Sequence, residues 1–255
     1  MHLIDRYAYS NRIRSVDPGY KAGLAFTVLL LCLVLSKPPV GILAVGWMFF
    51  LSVYLAGIPA RTFGRVLLAE ATFLVLATVG VVISLSAADP SGISTWITRL
   101  GPIWISSSPD ALDQGLTIVT RALGAAAAMN FLALTTPLVD IVELLRRWHV
   151  PIILIDIMTV IYRFIFVLLD SLEKIYVAQD SRLGYHTSYF RTMNSAAMLG
   201  SRLFIDAFQR SRRLQLALES RGYDGGDLRV LPSQYTSDHR LVWLGGAVVV
   251  SLVLA

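Results

Sequence analysis

Two stretches, Ala178-Gln179-Asp180-Ser181-Arg182-Leu183-Gly184 and Ala217-Leu218-Glu219-Ser220-Arg221-Gly222-Tyr223, each carry an alanine, an arginine four residues on, and a glycine one or two residues later. On a helix the four-residue spacing sets the alanine and the arginine on one face. The small alanine permits close approach, and the planar guanidinium can pair bidentately with a carboxylate or bond carbonyl groups of a partner. A single copy is explained by helix ending alone, since arginine in a last turn complements the helix dipole and glycine supplies a left-handed cap. Two copies point further, to a duplicated docking surface made by Ala178, Arg182 and Gly184 on one helix and Ala217, Arg221 and Gly222 on the next. Arginine supplies nineteen of the twenty-two basic residues, which favours directed pairing over a diffuse positive surface.

Bond-breaking chemistry has little to stand on in this sequence. There is no G-x-x-x-x-G-K-[ST] phosphate loop, no H-E-x-x-H and no G-x-S-x-G, so P-loop hydrolysis and the commonest intramembrane hydrolase signatures are missing. Gly222-Tyr223-Asp224-Gly225-Gly226 is glycine-rich but follows a helix and lacks the lysine, and reads as a cap and linker. His2, His149, His186 and His239 are scattered without metal-ligand spacing. The lone Cys32 lies in an apolar run and reads as packing. Nucleic acid is not an expected partner, because the basic residues sit beside apolar spans with no aromatic platform among them.

The elements that must position the two arginine tips are set by a composition that belongs in a bilayer. The chain is 55% hydrophobic and 15% charged with a mean hydropathy of +0.64, whereas charged residues make up about a quarter of a soluble domain. Residues 20–36, 38–57, 66–86, 114–135 and 240–255 each approach the roughly 20 residues a helix needs to cross the hydrocarbon. Lys37-Pro38-Pro39 punctuates the first two, and Ile58-Pro59-Ala60-Arg61 with Arg65 separates the second from the third. Arg6, Arg12, Arg14 and Lys21 place the N-terminus in the cytoplasm, and Arg61 and Arg65 fit a cytoplasmic loop. Residues 87–113, with the single base Arg99 beside Asp89, Trp96, Trp104, Asp110 and Asp113, read as the external loop. Asp5 and the early arginines do not read as a cleavable signal peptide, although the first span could itself direct insertion.

Ile152 to Leu169 is long enough to cross, yet four preceding spans return the chain to the cytoplasm near Pro137. A fifth crossing would export Arg182, Arg191, Arg202, Arg210, Arg212, Arg213, Arg221 and Arg229, against the positive-inside bias. Asp156, Arg163 and Asp170 recur at seven-residue spacing and stripe one face of this helix. Residues 152–182 are therefore read as a long helix at the cytoplasmic interface or buried in protein; the alternative is a true span with its charges turned inward against other helices. Thr136 as N-cap and Pro137 at the first helical position open a short amphipathic helix over 137–149, closed by Pro151. A second long helix runs from about Ser188 to Arg221. Phe190, Met193, Ala197, Leu203, Phe204, Ala207, Phe208, Leu214 and Leu218 are its apolar positions, with Arg202, Asp206, Arg210 and Arg213 on the other face. Small residues Ser195, Ala196, Ala197, Gly200 and Ser201 would let the 152–182 helix cross it closely.

The expected fold is thus an all-α integral membrane protein. It has a four-span region (1–136), a cytoplasmic module of one short and two long crossing helices (137–230) and a C-terminal span (231–255). At the opening Ile4-Asp5-Arg6-Tyr7-Ala8 with Asp17-Pro18 and Lys21, at Thr135-Thr136-Pro137 with Glu143-Leu144-Leu145 before Val150-Pro151, and at the two arginine motifs, the sequence resembles the transmembrane T component of energy-coupling factor transporters, specifically the cobalt-type CbiQ proteins. The second motif is the more specific match; the first departs by placing Leu183 between Arg182 and Gly184. The resemblance implies a non-catalytic scaffold whose coupling helices seat on two ATP-binding-cassette subunits and hold a substrate-capturing, CbiM-like membrane subunit on their apolar face, with a small CbiN-like accessory subunit. ATP and magnesium would belong to the ATPases, with no cofactor in this chain. A nickel-type subunit and an autonomous secondary transporter are the alternatives, with a membrane-bound enzyme more distant. A carrier needs polar ligands at mid-membrane. Glu70, read as close to the start of a span and snorkelling or pairing with a base, Arg121, and Asn130, read as bonding between helices, make no convincing pathway.

Overall fold

The computed structural model describes residues 3–82, 84–86, 96–100, 103–182, 188–223, 235 and 239–255. They form two compact units, one of Met1–Asp140 with Ser233–Ala255 and one of Ile141–Pro232.

The first unit holds α1 (Leu3–Ser10), α2 (Pro18–Leu35), α3 (Pro38–Phe50, continued by a π turn over Leu51–Leu55), α4 (Ala60–Val82), α5 (Pro109–Thr135) and α9 (His239–Leu254). Local signals start these helices. The Asp17 carboxylate accepts from Gly19 N at 2.8 Å and the Ser108 hydroxyl accepts from Ala111 N at 3.1 Å, in each case with proline next in sequence. Both prolines occupy a position whose missing N–H costs nothing. α2 ends on Ser36 in the left-handed region (φ 48°), whose hydroxyl bonds Leu33 O.

α5 is the central element, packed by α1, α2, α3 and α4. The approach to α3 is close enough to require glycine: a Cβ at Gly41 would fall against the Thr120 carbonyl oxygen, and one at Gly124 would lie 3.1 Å from Gly41 Cα and 2.9 Å from Cys32 Sγ on α2. Ala25, Val28, Val40, Ala44, Met48, Ala127, Ala128, Phe131, Val248 and Leu252 fill the surrounding core. Apolar side chains also face outward, Leu68, Phe73 and Leu76 on α4 each being about 70% exposed. A helix apolar on its outer side belongs in lipid or against another subunit.

Among the described residues five helices are long and apolar enough to cross a membrane: Pro18–Leu35, Pro38–Leu55, Ala60–Gly80, Pro109–Thr135 and Ile152–Asp180, with a shorter apolar helix over Val242–Leu254. The chain is a multi-pass membrane protein of helical fold. Length and composition qualify the 152–180 helix, the one whose charged stripe and downstream arginines argue against a crossing, and leave the C-terminal helix, sixteen residues or about 24 Å, short of a full span. α4 starts six residues before the expected span, so Arg61 and Arg65 belong to its first turns. β1 (Ser84–Ser86), at the end of the expected span 66–86, joins β2 (Trp96–Leu100) and β3 (Ile103–Ser107), within the segment read as an external loop, in a three-stranded antiparallel sheet of order β1-β3-β2. Its register pairs Leu85 with Ile105 and Thr98 with Ile105. β2 and β3 carry β-branched and aromatic residues, Trp96, Ile97, Thr98, Ile103, Trp104 and Ile105, a signal the loop reading passed over.

The second unit contains α7 (Ile152–Asp180) and α8 (Tyr189–Glu219), preceded by α6 (Leu138–Arg147), which begins in the first unit. The short helix and the two long ones therefore occur where the sequence put them. Thr136 is extended and Pro137 O accepts from Asp140 N, but the Thr136 hydroxyl lies 3.5 Å from that of Thr135 and makes no side-chain cap. α6 closes with His149 at φ 59° and Val150 N reaching back to Leu145 O.

Candidate coupling site

The α8 tip is built by a Schellman cap. Tyr223 N reaches Leu218 O and Gly222 N reaches Glu219 O, both at 3.0 Å, with Gly222 at φ +73°. This double bond pattern satisfies the last carbonyls and stops the helix in a left-handed residue. At the α7 tip Ser181 N bonds Val177 O and Arg182 N bonds Gln179 O; Gly184 lies outside the described residues. The two tips share a feature that sequence reasoning missed. Ser181 Oγ donates to Ala178 O and Ser220 Oγ donates to Ala217 O, each at 3.1 Å. A hydroxyl thus ties off the carbonyl of the motif alanine in both copies. The signal was present, since serine precedes arginine in both stretches.

At both tips the guanidinium groups take no part in these bonds. Ala178, Arg182, Ala217, Arg221 and Gly222 are all exposed, and among the described residues neither the Arg182 nor the Arg221 guanidinium has a hydrogen-bond or ion-pair partner. Each tip is a cation beside a small residue, presented to whatever approaches.

α7 and α8 meet through a polar lock. Arg210 Nε bonds Asp206 Oδ2 at 2.9 Å, and Arg210 Nη2 bonds Ser171 Oγ on α7 at 2.9 Å. The Arg210 guanidinium and the Ser171 hydroxyl hold the Asp206 carboxyl below the usual carboxylate range. Ser171 stands eleven residues before Arg182, and Arg210 eleven before Arg221, so each tip extends about 16 Å along its own helix from the lock. Within the expected crossing region Ser195–Ser201, Gly200 makes no close approach: a Cβ there would meet nothing within 4 Å.

The faces of α8 match the expectation only in part. Its half-buried stripe is Thr192, Ser195, Leu199, Leu203, Asp206, Ala207, Arg210, Leu214 and Leu218, and it has no fully buried residue. Leu203, Ala207, Leu214 and Leu218 of the expected apolar face lie in it, together with Asp206 and Arg210 of the expected polar face, while the aromatic residues are bare, with Phe190 83%, Phe204 73% and Phe208 54% exposed. On α7, Ile153 is 69% and Ile161 52% exposed, while Asp170 of the charged stripe pairs with Lys174. Both long helices therefore keep uncovered apolar surface of the kind that faces lipid or another protein.

The CbiQ family model, described as cobalt transport protein, matches residues 10–232. The chain belongs to the CbiQ family. Three relatives fit this assignment. The cobalt transport protein CbiQ of Rhodobacter capsulatus is 29% identical over 91% of this chain and 88% of its own length. A putative fused cobalt transport protein CbiMQ of Methanocorpusculum labreanum is 26% identical over 88% of this chain and 37% of its own length. The energy-coupling factor transporter transmembrane protein EcfT of Brevibacillus brevis is 32% identical over 62% of this chain and 64% of its own length. The relatives are named as transport components.

Elsewhere in this CbiQ-family chain, Asn130 Nδ2 donates to Glu70 Oε2 at 2.8 Å, linking α4 to α5. Asn130 thus bonds between helices as expected. Glu70 is the eleventh of the 23 residues of α4, not near its start, and pairs with an amide rather than a base. Arg121 Nη1 donates to Ser36 Oγ at the end of α2. Among the described residues no group of three or more His, Cys, Asp or Glu side chains is placed to hold a metal ion.

Proposed function

We propose that this chain is the membrane coupling subunit of an energy-coupling factor importer for cobalt ions. Arg182 and Arg221, with Ala178, Gly184, Ala217 and Gly222, seat on two ATP-binding-cassette subunits, which supply ATP and magnesium chemistry. The bare apolar faces of α7 and α8 hold a CbiM-like capture subunit, with a CbiN-like accessory protein in the same complex. Movement of the ATPases is carried through the crossed helices and changes the pose of the capture subunit, while this chain catalyses nothing. The N-terminus and both tips face the cytoplasm.

The observation that carries the reading is the pair of exposed helix ends, each with a serine tying off the motif alanine's carbonyl and an arginine whose side chain has no partner among the described residues. An arginine that finds a carboxylate or a helix C-terminus gains a charge-assisted contact, and a paired arrangement suits a paired ATPase. The fused CbiMQ relative supports a CbiM-like neighbour.

Arg182→Ala and Arg221→Ala should each weaken copurification of the ATPases or lower cobalt uptake per ATP, and the double variant should be worse. Loss of a buried charge-assisted contact at an interface costs about 2–5 kcal/mol. A double variant that assembles normally and drives normal uptake rejects these roles. Transport by the purified polypeptide alone would instead establish a carrier.

A further inference from the structure

The junction between α5 and α6 is gripped by residues far away in sequence. α5 ends at Thr135, whose carbonyl is one of the orphans of a helix end. It accepts from Asn11 Nδ2 at 3.1 Å and from Lys21 Nζ at 3.4 Å. The same Asn11 amide reaches Ala8 O at 2.7 Å and Tyr7 O at 3.2 Å, at the end of α1. One amide thus binds the negative ends of two helices, with an ammonium beside it. In the first turn of α6, Asp140 accepts from the Tyr235 hydroxyl at 3.0 Å, and the charges of Asp140 and Asp17 act on Lys21. Lys21 and Thr135 are 0% exposed, Thr136 2% and Asp140 7%. The base of this arrangement is anchored in turn, because Arg12 N bonds Ala56 O just past the π turn.

Burying an ammonium carries a heavy desolvation cost, and an apolar residue of similar length would fill the same space without it. What the charge adds is direction. It opposes the negative end of α5 and the first-turn carboxylate of α6 at once, so the chain leaves α5 along one path. We infer that Lys21 and Asn11 form a clasp on Thr135-Thr136-Pro137, with Tyr235 bracing Asp140, and that the clasp carries movement of the coupling helices into the membrane helices. Lys21 is then a positioning residue for transport, in a different unit of the chain from both arginine tips. The functional half of this inference rests on the coupling role proposed above.

The test uses the whole transporter in liposomes, with Lys21→Met in this chain. Two quantities are read: amide hydrogen exchange over residues 136–141, and cobalt taken up per ATP hydrolysed. The expected result is exchange at least about tenfold faster in that segment, ATPases still copurifying, and a ratio lowered about fivefold or more. Unchanged exchange over 136–141 overturns the clasp, and faster exchange with an unchanged ratio overturns its role in coupling. If Lys21→Met does not accumulate, Asn11→Ala and Tyr235→Phe each delete part of the grip and should lower the ratio about two- to fivefold; wild-type ratios in both overturn the proposal. A wild-type complex that shows no ATP-driven uptake would reject the importer, while the exchange measurement still decides the clasp.

Discussion

Gly222→Ala isolates what the left-handed cap contributes to the α8 tip. Gly222 has φ +73°, and a Cβ built there meets no atom within 4 Å. Crowding is therefore absent, and the whole cost is the backbone penalty of a left-handed residue bearing a Cβ, about 1–2 kcal/mol. At RT of about 0.6 kcal/mol this shifts the closed-to-open ratio of the cap by about 5- to 30-fold. The bonds released on opening are Arg221 N to Leu218 O, Gly222 N to Glu219 O and Tyr223 N to Leu218 O. In the variant, exchange at the backbone amides of residues 221–223 should quicken by that factor while the lock at Ser171 keeps its protection. Gly200 supplies the control, since it too has open space but lies within α8 without a positive φ. There Gly200→Ala should stabilise the helix by about 0.5–1 kcal/mol, the same chemical change with the opposite sign. Gly222→Asn should fall between wild type and Gly222→Ala, because asparagine tolerates the left-handed region. Equal exchange in wild type and Gly222→Ala, or an asparagine variant as open as the alanine one, would refute the backbone explanation.

Gly41→Ala should cost about 1–3 kcal/mol or more, because its methyl group meets main chain on α5 that cannot rotate away; a thermal-unfolding midpoint equal to wild type would refute that close approach. The Asp206 carboxyl is held below its ordinary range, so its contribution to the α7–α8 lock is complete above the unfolded value near about pH 4 and is lost as pH falls through the lower folded value. Exchange protection around Arg210 should therefore drop only in strong acid, and Asp206→Asn should remove that pH dependence. For topology, Ser107→Cys, Ser181→Cys and Ser220→Cys in a Cys32→Ser background should divide under a membrane-impermeant thiol reagent. The first should label in intact cells and the other two only after the membrane is opened. Labelling of Ser181→Cys and Ser220→Cys from outside would place α7 across the bilayer and remove the docking surface for cytoplasmic ATPases.

What sequence could supply was governed by how local its signals are. Asp17-Pro18, Lys37-Pro38-Pro39, Ser108-Pro109 and Gly222 act within one turn of themselves, and the helices start or stop there. Asn11 and Lys21 act on Thr135, more than a hundred residues away, and no spacing pattern can mark such a grip. α8 shows a subtler limit. Its hydropathy divides the helix into two faces, and the rule for a soluble helix assigns the apolar face to the chain's own core. Here Asp206 and Arg210 turn inward to Ser171, while Phe190, Phe204 and Phe208 stay bare. Periodicity establishes that two faces differ; which face the chain itself covers depends on where the rest of the apolar surface is to be buried. A subunit that completes its core only on assembly can hold its own helices together with one polar lock and reserve the aromatic face for a neighbour. On that logic the open aromatic face of α8 is surface for lipid or for the neighbour proposed above.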